Sequence, residues 1–187
     1  MLILGLDVST SVTAYSLIDT ELPPDDCVVE YEGIHLSNLK SLYEKAEAIK
    51  SHLVKISKSY SVDKICVEEA LQSFRRGLSS AKTLSTLARF NGIVCYLAED
   101  IFKKRVDLVN VLHARSSLGI KIDRKSEVNV KDQVLEWTKS QRALKRIDWP
   151  TKLLKSGPRK GLVVLDKSCY DIADASIMAL YGSITDS

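Results

Sequence analysis

The chain has 187 residues, of which 45% are hydrophobic and 27% are charged, a balance typical of a globular domain and not of a disordered segment. No apolar run approaches the roughly 20 residues that span a bilayer, and no basic region of a secretion signal precedes the first apolar residues. The net charge is +3, and the four cysteines include no CxxC pair, which argues against zinc and favours a reducing compartment without disulfides. We therefore expect a single intracellular domain over residues 1–187.

The first third of the chain has the patterns of β-strands. Residues 2–7 are an apolar run that ends in an acid, and residues 12–18 alternate apolar with small or polar side chains. Residues 27–36 are rich in β-branched and aromatic side chains. The short segment at 9–11 suits a hairpin turn. These patterns predict antiparallel strands at the start of a sheet.

From Leu39 the pattern changes to that of an amphipathic helix. Apolar residues at 39, 42, 43, 46, 49, 53 and 56 follow the i, i+3, i+4, i+7 rule, with Asn38 or Ser37 as the N-cap. Further patterns predict strands at 62–68 and 105–110, and helices at about 79–101, 111–118, 127–139 and 168–181. These elements in this order predict an α/β domain with a mixed central sheet, antiparallel in its first strands and then parallel, flanked by helices.

A basic insert at about 139–161 separates the last two helices. It carries eight basic residues against one acid, Asp148, and Pro150, Gly157 and Pro158 prevent a continuous helix. Clustered positive charge is how phosphate-binding surfaces are built, although a solvated basic loop has the same composition. If the insert binds nucleic acid, Arg142, Lys145 and Arg146 are the expected phosphate contacts.

Four acidic residues occupy chemically informative positions. Asp7 and Glu68 end apolar strands, where an ionised carboxylate is costly unless it is paired or binds a metal. Asp171 and Asp174 are three residues apart in the last helix, so their like charges share one face. Singly, each acid could be a turn residue or a helix N-terminal anion. Together, hard oxygen ligands without His or Cys favour Mg²⁺ or Mn²⁺, and two such ions suit an in-line phosphoryl displacement.

Three segments resemble the acidic motifs of RuvC-type Holliday-junction resolvases: Leu4-Gly-Leu-Asp-Val-Ser-Thr10, Ile65-Cys-Val-Glu-Glu-Ala70 and Tyr170-Asp-Ile-Ala-Asp-Ala175. The resemblance implies a ribonuclease H-like fold, a homodimer, and Mg²⁺-dependent paired cleavage of four-way DNA junctions, with Mn²⁺ as a substitute. Ser9 stands where the family commonly has Gly, and the basic insert is longer than in bacterial members. The chain therefore looks like a viral, phage or organellar relative, acting in the cytoplasm on nucleoid or viral DNA.

The resemblance carries over to single positions. Asp7 takes the place of the first-strand acid, Glu68 that of the second-strand acid, and Asp171 and Asp174 those of the last two. These four residues would be the catalytic metal ligands. Glu69 ranks second to Glu68, because successive side chains of a strand point to opposite faces.

Other positions resemble the DNA contacts of the family. Lys131 resembles a lysine that lies near the scissile phosphate at the start of a helix, although a solvated helix lysine would look the same. The loop after Glu68 stands where family members often place an aromatic residue that enters the junction. There Phe74 would stack on an opened base while Arg75 and Arg76 hold phosphates. A surface loop with a buried Phe is the alternative.

Other functions share parts of the pattern. A ribonuclease H-like nuclease acting on RNA–DNA hybrids or flaps would use the same acids, so only a dimer and a preference for junctions would separate the two. The actin-like sugar-kinase and chaperone group shares the first motif but needs two such domains and glycine-rich phosphate loops, for which 187 residues with 8 glycines leave little room. A catalytically inactive DNA-binding module is disfavoured because all four acids are present.

Overall fold

The structure is a computed structural model that describes residues 1–70 and 80–185. Its main elements are β1 (Leu2–Asp7), β2 (Val12–Asp19), β3 (Val28–His35), α1 (Leu42–Ser59), β4 (Lys64–Glu68), α2 (Ala81–Phe102), β5 (Val106–Val109), α3 (Val111–Ser117), α4 (Val130–Ser140), β6 (Thr151–Leu153), β7 (Val163–Leu165) and α5 (Ser168–Ile184), with one 3₁₀ turn at Arg142–Leu144. None of the described helices is long and apolar enough to cross a membrane.

The main sheet has the strand order β3-β2-β1-β4-β5. β2 is antiparallel to both β1 and β3, whereas β1, β4 and β5 are parallel to one another. The predicted mixed sheet is therefore confirmed. Because the parallel strands point the same way, β1 and β4 end at one edge of the sheet, with Asp7 and Glu68 as their last residues. We call this the carboxyl edge, and the opposite edge, where β1 begins, the amino edge.

Helices cover both faces of the sheet. On one face, α1 and α2 pack on Leu4, Leu6 and other buried side chains of β2 and β4. On the other face, α5 lies across β1, β2 and β4 and packs on Ile3, and α3 and α4 lie beside it. Side chains of a strand alternate between the two faces. Asp7, an even number of residues from Ile3, therefore points toward α5.

Two glycines let α5 lie in direct contact with the sheet. A Cβ on Gly5 of β1 would stand 2.1 Å from the carbonyl oxygen of Ala175 and 2.5 Å from the amide nitrogen of Ala179. A Cβ on Gly182 of α5 would stand 2.7 Å from the Sγ of Cys66. No side chain larger than hydrogen fits at these contacts, so the glycines determine how closely α5 approaches the sheet.

The start of α1 corrects the prediction from the sequence. The N-cap is Ser41 and not Asn38 or Ser37, because Ser41 and Glu44 form a capping box in which each side chain accepts a hydrogen bond from the other's backbone N–H. The preceding residues form a turn in which the Leu39 amide donates to the carbonyl of Leu36. Tyr43, expected on the buried face, is 80% exposed because it lies on the outer side of the first turn.

The basic insert contains structure that the sequence did not reveal. β6 and β7 pair antiparallel, with Thr151 opposite Leu165 and Leu153 opposite Val163. Both strands have only three residues, too few to show an alternating pattern. The loop that joins them contains Gly157 with a φ of 81°, a left-handed conformation that glycine adopts without strain. The second half of the insert therefore belongs to a hairpin, Thr151–Leu165, that precedes α5.

Candidate metal centre

Three of the four predicted ligands meet at the carboxyl edge. Asp7, Glu68 and Asp174 each offer a carboxylate oxygen, and these oxygens lie within 4.8 Å of one another. Because β1 and β4 are parallel with Leu6 opposite Val67, the next residues of the two strands, Asp7 and Glu68, stand side by side. Asp174 reaches them from α5, which crosses both strands. The cluster therefore depends on parallel pairing and on the close approach of α5.

The electrostatics of the cluster favour a bound cation. Burial, and then the charges of Glu68 and Asp174, raise the pKa of Asp7 well above its usual 3.8. Burial followed by the charge of Asp174 raises the pKa of Glu68 from 4.5 to about 7. Both shifts mean that the site disfavours its own negative charges. A divalent cation between the oxygens would remove this repulsion, and a donor set of carboxylate oxygens suits a hard ion such as Mg²⁺.

Asp171, the fourth predicted ligand, lies outside this group of three. It stands almost one helical turn before Asp174 and lines a groove beside the centre, together with Lys131. Burial raises the pKa of Asp171 to about 6, and the Lys131 charge opposes that rise. Its negative charge also raises the pKa values of Asp7 and Glu68, so it belongs to the same electrostatic site.

Lys131 is the second residue of α4, as expected for a lysine at the start of a helix. Asn129 caps the helix by accepting a hydrogen bond from the Asp132 amide at 2.9 Å. The Lys131 charge lowers the pKa values of Asp7, Glu68 and Asp171. Its Nζ also lies 5.8 Å from the centre of the Tyr170 ring, within cation–π range. Lys131 is therefore placed to put positive charge beside the centre.

Arg115 on α3 belongs to the site and was not found from the sequence. Its Nη2 donates a hydrogen bond of 2.7 Å to Oδ1 of Asp174, and the two side chains are only 16% and 17% exposed. The Arg115 Nε is buried and has no hydrogen-bond partner among the described residues. A single arginine in a seven-residue helix carries no local signal, and only the packing of α3 against α5 brings it to Asp174.

Asn91 of α2 is a second contributor that the sequence did not reveal. It is 7% exposed, and its Nδ2 donates a hydrogen bond of 3.0 Å to the backbone carbonyl of Glu68. The next residue, Glu69, donates its amide to the carbonyl of Val109 on β5 at 2.9 Å. These bonds hold the end of β4 on both sides. Of the two neighbouring acids Glu68 and Glu69, it is Glu68 that lies beside Asp7 and Asp174.

The expected DNA contacts of the basic insert lie away from the metal centre. The Arg142 guanidinium donates to both carboxylate oxygens of Asp25 at 2.8 and 2.9 Å, and Arg146 forms a 3.0 Å salt bridge with Asp26. The charge of Lys145 also lowers the pKa of Asp25. Residues 25 and 26 connect β2 to β3 at the amino edge. The role of these three cations in DNA binding stays a prediction, and their place is the end of the sheet opposite the acids.

Phe74, Arg75 and Arg76 lie outside the described residues. Their expected contact with an opened base and with phosphates therefore stays a prediction from the sequence. The described chain resumes at Ser80, which caps α2 by accepting a hydrogen bond from the Thr83 amide at 3.1 Å.

The same fold occurs in known resolvases. The chain superposes on the structure of Thermus thermophilus RuvC with a TM-score of 0.61 and 18% identity, over 98% of this chain and 93% of that chain. The T. thermophilus RuvC complex with a Holliday junction substrate gives the same TM-score and coverage at 16% identity. The yeast mitochondrial Holliday junction resolvase Ydc2 matches with a TM-score of 0.56 and 16% identity, over 96% of this chain and 76% of that chain.

No family model matches the chain, and no curated protein matches it significantly. The structural likeness establishes the ribonuclease H-like fold expected from the acidic motifs. The chain therefore has the architecture of RuvC-type resolvases.

Proposed function

We propose that this chain is a structure-selective endodeoxyribonuclease that resolves four-way DNA junctions by paired, Mg²⁺-dependent hydrolysis of one phosphodiester bond in each of two strands. The observation that carries the proposal is the meeting of Asp7, Glu68 and Asp174 at the carboxyl edge of a ribonuclease H-like sheet. A protein with the same fold is known in complex with a Holliday junction substrate, which supports branched DNA as the substrate.

The donor set fits divalent metal ions. Asp7, Glu68 and Asp174 would hold the ions through carboxylate oxygens, and Asp171 would join them or orient them from the same helix. Mg²⁺ is the expected metal, and Mn²⁺, which accepts the same oxygen ligands, would substitute. When bound, such ions supply the positive charge that stabilises the attacking and leaving oxygens of an in-line phosphoryl displacement.

The chain itself supplies position and charge around that centre. Asp7 and Glu68 are placed by two paired strands, so their separation varies little. Arg115 holds the Asp174 carboxylate through its 2.7 Å hydrogen bond. Lys131 would contact the scissile phosphate, because it is exposed and its charge acts on three of the four acids. Rigid placement of this kind lowers the barrier by orienting the reacting groups in advance.

We also propose a homodimer, formed through the outer face of α1 and α2. This face has a mostly apolar groove of about 600 Å³ lined by Tyr43, Ile93, Tyr96 and other residues of the two helices. Tyr43 is 80% exposed and Tyr96 is 68% exposed. A junction with two-fold symmetry suits a two-fold enzyme, and a two-fold interface pairs the same face with itself. A second copy is therefore the expected occupant of this groove.

The test of the proposed activity is the Asp7→Asn variant. We expect it to cut a synthetic four-way junction at least about a thousandfold more slowly than the wild type in Mg²⁺, because a central ligand is lost. Binding of the junction should be retained, since removing a negative charge does not weaken contact with phosphates. Cleavage assays and binding assays on the same labelled junction measure the two effects.

Substrate preference separates this function from its nearest alternative. The wild type should cut the four-way junction in preference to a linear duplex and an RNA–DNA hybrid of equal sequence. Efficient hybrid cleavage by a monomer would favour a ribonuclease acting on hybrids. Unchanged junction cleavage by the Asp7→Asn variant would refute the metal centre itself.

A further inference from the structure

A groove of about 620 Å³ lies beside the metal centre on the side of Asp171. One wall includes His35 at the end of β3, and the others come from α4, β6 and the start of α5. Three lysines line it, each from a different segment: Lys131 from α4, Lys152 from β6 and Lys167 immediately before α5. These lysines converge on the groove although 36 residues separate the first from the last. The groove therefore concentrates positive charge next to the acids that would hold the metal.

The β6–β7 hairpin, which supplies Lys152, is anchored to the helix that carries the acids. The Asp166 amide donates a hydrogen bond of 2.7 Å to the carbonyl of Pro150, which closes the base of the hairpin. Trp149 packs at the same base against a cluster that includes Cys169 and Ala173 of α5. Lys152 therefore holds a defined position relative to Asp171.

The rest of the hairpin has few contacts with the core. Leu153 is 57% exposed and Val163 is 66% exposed, although apolar side chains of this size are usually buried in a domain of this length. A hairpin of two three-residue strands would not be stable alone in water, which is why the contacts at its base matter. An exposed hairpin that is fixed only at its base contributes little to the core, and its structural effect is to form one wall of the groove.

One carboxylate accompanies the new lysines. Lys152 lies 3.2 Å from Oδ2 of Asp166, and their side chains are 41% and 19% exposed. Asp166 also accepts a hydrogen bond of 2.9 Å from the Ser168 amide, so it is held in place at the start of α5. This acid balances at most one of Lys152 and Lys167, and Asp171, the other acid of the lining, interacts with the charge of Lys131. The pair of lysines therefore keeps a net positive charge toward the groove.

We propose that this groove binds the sugar–phosphate backbone of the DNA strand on one side of the scissile phosphate, with Lys152 and Lys167 as phosphate ligands. The inference rests on the proposed nuclease function and names the path of the cut strand. A groove of this volume holds about one or two nucleotides, so the contacted phosphates are those nearest the cut. Lysine binds phosphate as a compact point charge, which fixes the strand without reading its sequence.

The test compares two double variants with the same loss of charge. Lys152→Ala/Lys167→Ala removes the groove lysines, and Lys58→Ala/Lys104→Ala removes two exposed lysines near the amino edge. Binding of a four-way junction is measured in EDTA at several salt concentrations. We expect the groove variant to bind between about tenfold and a hundredfold more weakly in about 0.1 M salt, with a salt slope reduced by about 2, and the control to change little.

The position of the contacted phosphates is tested with junctions that carry a neutral methylphosphonate in place of one phosphate. At the linkages next to the cut, the substitution should weaken binding by the wild type but have little further effect on the groove variant. Lys152→Arg/Lys167→Arg, which keeps the charges, should restore most of the affinity. Thermal unfolding of each variant checks that the fold is intact.

The two hypotheses fail in different ways. A groove variant that binds the junction as tightly as the control, while the wild type still cuts it, would overturn the groove and leave the nuclease function standing. A methylphosphonate effect that persists unchanged in the groove variant would also overturn the groove. A wild type that neither binds nor cuts any junction would overturn the nuclease function and the groove with it.

Discussion

Little solvent reaches the carboxylates of Asp7, Glu68 and Asp174, so the free energy of ionising each one depends on the charges of its neighbours. Glu68 is the clearest case, because burial and the charge of Asp174 raise its pKa to about 7. Arg115 opposes this effect through its positive charge. The residues of the centre therefore form one electrostatic unit, and a change at one position alters the others.

The metal-free protein should lose stability as the pH rises. The pKa of Glu68 is about 7 in the folded protein against an ordinary 4.5, so its contribution to the free energy of unfolding is complete below pH 4.5 and is lost as the pH approaches 7. We expect Glu68→Gln to remove this part of the pH dependence and to raise stability at pH 8 by on the order of 2 kcal/mol in EDTA. Urea unfolding at pH 5 and pH 8 measures both effects. Equal pH dependence in variant and wild type would contradict the assignment.

Arg115 should matter most when no metal is bound. Without it, the partly buried Asp174 carboxylate loses its 2.7 Å partner while the other acids remain. We expect Arg115→Ala to lower the free energy of unfolding in EDTA by about 2 kcal/mol, and the difference from wild type to narrow in Mg²⁺, which replaces the lost charge. Denaturant unfolding with and without Mg²⁺ measures this. The exposed Arg105→Ala serves as the control and should change stability by less than about 0.5 kcal/mol.

At the scale of elements, the position of α5 decides whether the centre exists. This helix carries two of the acids, and it reaches β1 only because Gly5 has no side chain. Its own sequence predicted a helix with Asp171 and Asp174 on one face, as observed. The distance between that face of α5 and the sheet is set by the close contacts of Gly5 and Gly182.

Gly5→Ala should therefore damage both stability and site. The new Cβ would stand 2.1 Å from the Ala175 carbonyl oxygen, so α5 must move away from β1. We expect a loss of about 3 kcal/mol in the free energy of unfolding and a weaker stabilisation by Mg²⁺, because Asp174 moves with the helix. Thermal and urea unfolding measure these effects at matched protein concentration.

Gly92→Ala in α2 is the matched control for this substitution. Apart from its chain neighbours and the backbone of its own helix, no described residue lies within 4 Å of a Cβ at Gly92, and alanine is favoured over glycine inside a helix. Because Gly92 also lines the groove proposed for the dimer, unfolding is compared at a protein concentration at which the chain is a monomer. There the stability of Gly92→Ala should stay unchanged or rise by up to about 1 kcal/mol. A Gly5→Ala protein as stable as Gly92→Ala would show that α5 does not depend on this contact.

At the scale of the whole molecule, charge and apolar surface are separated. The acids, Lys131 and the lysine-lined groove lie at the carboxyl edge, whereas Arg142 and Arg146 lie at the amino edge, roughly 17 Å away along β1. The apolar groove of α1 and α2 is on the face opposite α5. In the proposed complex, the α1–α2 face would pair with a second copy while the carboxyl edge binds DNA.

Charging the α1–α2 face should convert a dimer into a monomer. One chain has a mass of 20.8 kDa, and sedimentation of the wild type is expected to give twice that value. Tyr43→Glu/Tyr96→Glu should sediment as a monomer, because a dimer would bury two carboxylates of each chain at the interface. A monomer has one metal centre, so the variant should nick one strand of a junction without the paired cut in the other. Leu22→Glu on the β2–β3 loop, an exposed apolar residue on another surface, is the control. If the variant sedimented with the mass of the wild-type dimer, the dimer interface would lie on another surface of the chain.

The sequence alone was sufficient for features that depend on neighbouring residues. The alternation of strands and the 3.6-residue period of helices are local, so the mixed sheet, the helices and the positions of Asp7 and Glu68 at strand ends were predicted. The expected pairing of Glu68, and not Glu69, with Asp7 also follows from alternation.

Only the tertiary structure decided features that join distant segments. The partner of Asp174, the separation of Asp171 from the group of three, and the place of Arg142 beside Asp25 all depend on how elements pack across the sheet. Packing is set by contacts such as that of Gly5 with α5, between residues 170 positions apart. The four carboxylates were therefore predicted from local pattern as candidates, whereas the three that meet were determined by the close approach of one helix to one strand.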